Sequence, residues 1–273
     1  MDPNRHIESF GPGAATNIQN TARPFNEVQA EVSVETYEQA GFASYEVSLD
    51  ETPQLLEIIT TYESFASGIG QRDPTWGYFA FVTDYASQSQ NSLSLAVHNL
   101  IGVVNRSLRR FGVAPYYEEL LRRFKIDIVQ SQEALGGASD DRVREEFRAL
   151  RHRLGRRGLI VPARNMVCLV FDADTIRMLA SLEFPDRIED DHDAFHESTV
   201  KVVDVCFGEG DSDSGDSDYD GDGDENDDEE SSYAGVGYCR ITSLHRLYMI
   251  LTMDSNTRAM EDLHPMDHTS TEL

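Results

Sequence analysis

Val28, Ala30, Val32 and Val34 alternate with Glu27, Gln29, Glu31 and Ser33, the period of two that predicts a half-buried strand. Tyr45, Val47 and Leu49 repeat the alternation after Gly41, so the two runs predict a hairpin. Thr52 followed by Pro53 is a helix start. Leu55, Ile58, Ile59, Tyr62 and Phe65 supply the apolar face of that helix, and Gly68 its stop. Residues 76–83 are dense in aromatic and β-branched side chains and predict a buried strand. Leu93, Val97, Leu100, Val104, Leu108 and Phe111 form one helical stripe between Ser92 and Gly112. Pro115 opens a second helix, with Glu118 and Glu119 in its first turn. A third helix is predicted over residues 141–157, where Val143, Phe147, Leu150 and Leu154 recur at helical spacing. Strands at 166–171, 200–207 and 236–242 and a helix at 175–184 follow, and residues 244–253 with a short helix after Asp254 complete the domain.

Three stretches carry no such pattern. Residues 1–26 are polar, contain Gly11, Pro12, Gly13 and Pro24, and read as a disordered arm. Residues 208–235 form an insertion between two strands; its centre, 211–230, is almost wholly Asp, Glu, Gly and Ser and reads as disordered. Residues 266–273 read as a tail. The whole predicts a single α+β domain over residues 27–265, with antiparallel strands, three arginine-rich amphipathic helices and a long acidic loop inserted between two strands.

Charge sharpens this picture. The chain of 273 residues has a net charge of −26. Residues 101–170 carry 14 basic and 8 acidic side chains, whereas residues 183–230 carry 2 basic and 21 acidic. Of the 23 basic residues only Lys125 and Lys201 are lysine. Arginine suits planar, bidentate contact with carboxylate or phosphate, although a codon bias gives the same count. No apolar run reaches the roughly 18 residues of a membrane span, and no secretory leader is read at the start of the chain. Three cysteines, Cys168, Cys206 and Cys239, make no disulfide framework and predict a reducing, cytoplasmic or nuclear setting. Pairing of the strands around the insertion is expected to bring Cys206 near Cys239.

Arginine is the first candidate chemistry. Arg106, Arg109, Arg110, Arg122, Arg123, Arg148, Arg151, Arg153, Arg156 and Arg157 fall on the three helices. Sharing one face, they would bind an anionic partner, a nucleic acid or an acidic protein, with the acidic loop as internal competitor. An ordinary salt-bridged surface is the alternative.

The acidic loop is the second. Asp216, Asp218, Asp220 and Asp222 surround Gly221, with Asp224 and Asp227 further on. This spacing resembles the EF-hand calcium loop. It departs from that family in having Asp for the final bidentate Glu, Gly223 at the apolar position and no flanking helices. Weak calcium association is the expectation, with no cofactor. Ser217 has an acid three residues on, and phosphorylated Ser217 would serve Ser214 in the same way, as acid-directed kinases require.

Histidine is the third: His192 and His196 are four apart, as are His264 and His268. The zincin pattern places Glu directly after the first His, and here Asp193 stands there. No phosphate loop, nucleophile elbow or cysteine metal spacing is present in the sequence. The expectation is a non-enzymatic binding or assembly protein, for which a viral matrix-type or capsid-associated protein is a fitting plan. The alternatives are an acidic chaperone or decoy that binds basic proteins through the loop, and a metal-dependent hydrolase using His192 and His196.

Overall fold

A computed structural model describes residues 6–14, 17–39, 50–68, 73–155, 163–208 and 233–253. Six strands, β1 (His6–Phe10), β2 (Trp76–Val82), β3 (Phe124–Gln130), β4 (Val167–Phe171), β5 (Thr199–Asp204) and β6 (Val236–Arg240), form one sheet in the order β1-β3-β2-β4-β5-β6. The described helices are α1 (Ile18–Thr21), α2 (Phe25–Gln29), α3 (Val34–Gln39), α4 (Thr52–Gly68), α5 (Ser87–Phe111) and α6 (Tyr116–Arg123), then α7 (Gln132–Leu135), α8 (Asp140–Arg153), α9 (Ala173–Ala180), α10 (Asp191–Phe195) and α11 (Leu244–Met253). The α+β class expected from the sequence is what the chain adopts.

Strand β2 is buried along its whole length, which its run of aromatic and aliphatic side chains, interrupted by Gly77, requires of a central strand covered on both faces. It runs parallel to β3 on one side and to β4 on the other. The pairs β1–β3, β4–β5 and β5–β6 are antiparallel. Gly77 lies at φ +124, and a Cβ there would sit 2.0 Å from the Lys125 carbonyl oxygen. The close approach of β2 to β3 therefore requires glycine.

The two crossovers from β2 to β3 and from β3 to β4 lie on opposite faces of the sheet. On the first face, Leu93, Val97, Leu100, Val104 and Leu108 of α5 join Tyr78, Ala80, Ile126 and Leu169 in the larger core, together with α4, α9 and α11. On the second face, Val143, Phe147 and Leu150 of α8 pack on Phe79, Phe81, Cys168, Val170 and Val203. The Phe147 ring stands 5.8 Å from Phe79 and 5.6 Å from Phe81. Ser139 caps α8 by accepting from the Arg142 amide, and Asp140 and Asp141 fill its first turn, where negative charge suits the helix dipole.

Several expectations need correction. The run 28–34 is not a strand: Val28 lies within α2, and Val34 opens α3. Val28 and Val32 are four apart, a helical spacing, and both pack on the core. Residues 40–49, with the expected second strand, lie outside the described residues. His6–Phe10, inside the stretch read as a disordered arm, pairs with β3. Strand β3 was not read from the sequence, because no glycine or proline separates it from α6. Leu154 was placed on the apolar stripe of the third helix, but it follows the last turn of α8 and is 40% exposed. Strands β5 and β6 do pair, yet Cys239 faces Val200. Cys206 lies beyond the end of β5, so the hairpin keeps the two thiols apart, and all three cysteines are free.

Candidate functional site

The acidic segment 209–232 holds 13 acidic and no basic residues. It lies outside the described residues, but its root is fully drawn. Strand β5 runs into the root and β6 runs out of it, and the Asp204 amide donates to the Gly235 carbonyl at 3.0 Å. Helix α8 lies against this root. Its apolar stripe is buried on the sheet, and that orientation aims the flanking residues Arg144 and Arg148, one turn apart, at the end of the hairpin.

Arg144 is 4% exposed. Its Nε donates to the Asp204 carbonyl at 2.8 Å, and its Nη2 to the Ala234 and Gly235 carbonyls at 3.2 and 3.1 Å. Its Nη1 pairs with Asp141, and its guanidinium lies 5.0 Å from the Phe207 ring centroid. Arg148 Nε donates to the Val205 carbonyl at 2.9 Å, and its Nη2 to the Phe207 carbonyl at 2.6 Å. Two cations thus bind backbone oxygens on both sides of the segment. Charge-assisted bonds of this kind contribute about 1.5–3 kcal/mol each.

The rest of the root is equally tied. Asp204 accepts from the Cys206 amide at 2.8 Å and from the Tyr233 hydroxyl at 3.3 Å. Burial raises the pKa of this carboxyl above the ordinary value, and those hydrogen bonds only partly offset the rise. Phe207 and Tyr233 meet edge to face at 5.6 Å. Gly235 lies at φ +72, and a Cβ there would fall 2.3 Å from Phe207 and 2.6 Å from the Arg144 guanidinium. The turn out of the segment is therefore a glycine position.

Of the ten arginines singled out from the sequence, the eight that are described do not share one face. Those of α5 and α6 belong to the layer on the first face of the sheet, and those of α8 to the layer on the second. Most also have partners inside the fold. Arg106 makes a two-pronged contact with Asp191, at 2.6 and 2.8 Å, and donates to the Pro185 carbonyl. Arg123 is fully buried, bound to Glu119 and to the Pro74 and Arg23 carbonyls. Arg122 pairs with the same Glu119. Arg109 and Arg110 lie over the rings of Tyr117 and Phe111. Arg151 is buried, whereas Arg153 is exposed at the end of α8. Arg156 and Arg157 lie outside the described residues.

Arg144 was not among the ten, although its place beside Val143 and its spacing from Arg148 put it on the flank of the apolar stripe. Arg164 was also missed. It is buried on the second face of the sheet, stacks on Phe79 at 4.8 Å, donates to Thr75 and pairs with Asp127.

The other candidates are soon placed. Asp216, Asp218, Asp220, Asp222, Ser214 and Ser217 all lie outside the described residues, as do His264 and His268. His196 follows the last residue of the five-residue helix α10 and lines a polar cleft with Asp193, Glu197 and Ser198; the side chain of His192 is not described. Among the described residues, no group of three or more His, Cys, Asp or Glu side chains is placed to hold a metal ion. No described helix is long and apolar enough to cross a membrane.

Doubly wound sheets often bind ligands at the carboxyl ends of strands flanking the crossover reversal. Here the neighbouring strands whose connections leave on opposite faces are β2 and β3, and the polar groups at the ends of β2, β3 and β4 serve helix starts, Ser131 capping α7. Asp84 accepts from the Ala86 amide and from Ser89, and Asp172 accepts from the Thr175 amide. The Gly137 amide closes over the Thr83 carbonyl at 2.8 Å. Comparison with protein-family models, with curated proteins and with solved structures yields no match to this chain.

Proposed function

We propose that the protein is a non-enzymatic binding module that presents its acidic segment, residues 209–232, to a cationic partner. The observation that carries this reading is the root: Arg144 and Arg148 bind the backbone carbonyls of residues 204, 205, 207, 234 and 235. The arginines nearest the segment thus brace the main chain at both ends of a run that holds 13 acidic and no basic residues. The net charge of −26 points to a basic partner, which such a field draws in before contact. An anionic partner on an arginine surface has less support, because the described arginines are divided between two layers and many are held internally.

The test is calorimetric binding of an arginine-rich peptide to the intact chain and to a chain lacking 209–232, at low and high salt. Deletion is expected to weaken binding at low salt by about 10²-fold, with high salt weakening the intact chain toward the same level. Equal affinity of the two chains would reject this function.

A further inference from the structure

The sheet ends at β6, and nothing among the described residues pairs with its outer side. Which backbone groups face outward follows from the register. The Asp204 amide bonds the Gly235 carbonyl, and the Ile241 amide bonds the Ser198 carbonyl. In an antiparallel ladder every second opposed pair exchanges hydrogen bonds, so Gly237 with Val202 and Cys239 with Val200 are the bonded pairs between those ends. The N–H and C=O groups of Val236, Tyr238 and Arg240 therefore point away from the sheet. They form a row at the two-residue spacing that an added strand would meet.

Proteins usually blunt such an edge with proline, inward-pointing lysine or a bulge. Strand β6, Val-Gly-Tyr-Cys-Arg, has none of these, and Tyr238 at its middle is 56% exposed. The opposite edge, β1, carries the polar side chains of His6 and Glu8, 3.9 Å apart. What surrounds β6 in the chain is acidic at both ends. The segment 209–232 is separated from its first residue by three residues. At its far end, the Ile241 amide bonds the Ser198 carbonyl, which closes a run holding Glu189, Asp190, Asp193 and Glu197 beside an Asp191 already neutralised by Arg106. Arg240, the one cation on the strand, sits at the end away from 209–232.

We infer that the edge of β6 takes an extended cationic peptide segment of the partner as a seventh strand. This rests on the proposed function and deepens it: the acidic segment draws the partner in, and the outward backbone groups of β6 fix its register. Main-chain hydrogen bonds then supply sequence-tolerant affinity, with every second side chain beside Tyr238. A second copy of this chain is a poor occupant, because two molecules of charge −26 repel one another.

The probe is a synthetic peptide of alternating arginine and valine, about six residues long, the usual length of a strand. A second peptide has the same sequence and charge, with alternate amides N-methylated. Tyr238→Pro removes the middle outward donor; no β5–β6 bond uses that amide, and edge strands tolerate proline. Both changes are expected to weaken binding about tenfold at unchanged salt dependence. If N-methylated and parent peptides bind alike, strand addition is overturned while charge-driven binding stands. If the chain lacking 209–232 binds the parent peptide as tightly as the intact chain and N-methylation still weakens it, the edge inference stands and the acidic segment loses its role. A Tyr238-dependent dimer of the intact chain in sedimentation would overturn the inference by giving the edge a different occupant.

Discussion

His245 is buried in α11, with its Nε2 3.9 Å from Glu51 and Arg246 as its chain neighbour. Desolvation, with a smaller push from the Arg246 charge, lowers its pKa from 6.5 to about 4. The fold therefore holds the neutral imidazole, whereas the unfolded chain protonates it near its ordinary value. Stability from this group is complete above pH 6.5 and is given up as pH falls toward 4. The shift corresponds to about 3 kcal/mol. Asp50 and Asp204, whose pKa values are raised by burial, act in the opposite direction, because the fold disfavours their charged forms. Replacing His245 by Gln isolates the imidazole. Urea unfolding of the native chain should lose about 3 kcal/mol more than His245→Gln between neutral pH and pH 4. Parallel pH profiles would show that His245 is solvated in both states. Arg164 and Asp127 are a second buried ionic feature: Lys125 stands 3.8 Å from Asp127 and 3.9 Å from Asp73, so the cluster is close to neutral. Such a balance is what lets charge persist under a sheet face.

At the level of elements, α8 shows how one helix serves two ends. Its apolar stripe buries a Phe and two aliphatic side chains on the sheet, and its flank holds the β5–β6 hairpin at the root of the acidic segment. Arg144→Gln shortens the side chain beyond reach of the three carbonyls while leaving the stripe intact. The expected cost is about 2–4 kcal/mol, since buried carbonyls lose charged donors. Hydrogen exchange should rise first at residues 203–205 and 233–237, where that hairpin closes. Uniform acceleration across the sheet would instead mean that α8 as a whole has detached. Helix α8 was legible because Val143, Phe147 and Leu150 repeat a helical period beside the cap at Ser139. Strand β2 was legible because seven consecutive core-forming residues admit little else. The run 28–34 misled because it spans the end of α2 and the start of α3, and Val28 in α2 and Val32 in the link between them both turn to the core. Strand β3 carried its own alternation, Phe124, Ile126 and Ile128 against Lys125 and Asp127, but α6 runs into it without a turn residue. The division of the described arginines between two layers was illegible for a different reason. Composition places charges along a chain, but which side of a sheet each helix covers depends on crossovers that no local pattern encodes.

At the scale of the molecule, the dominant quantity is net charge. The chain carries −26, and residues 209–232 account for 13 of those charges with no cation among them. Repulsion within a charged body grows as the square of its charge, so a chain lacking the segment carries about a quarter of the self-repulsion. Salt screens this term, its reach falling from about 30 Å at 0.01 M to about 3 Å at 1 M. The intact protein is therefore expected to gain stability steeply as salt rises, and the shortened chain to gain far less. Thermal unfolding of the two across a salt series measures this directly. If the segment acts on the fold through its root, the two curves converge at high salt and separate at low salt. Equal slopes would show that the segment is electrically remote from the domain, a tether rather than part of its field. The same field links stability to binding. A cationic peptide that neutralises the segment relieves repulsion in the folded chain and adds its own mass-action term. It should raise the unfolding temperature most at low salt, and by less in the segment-deleted chain.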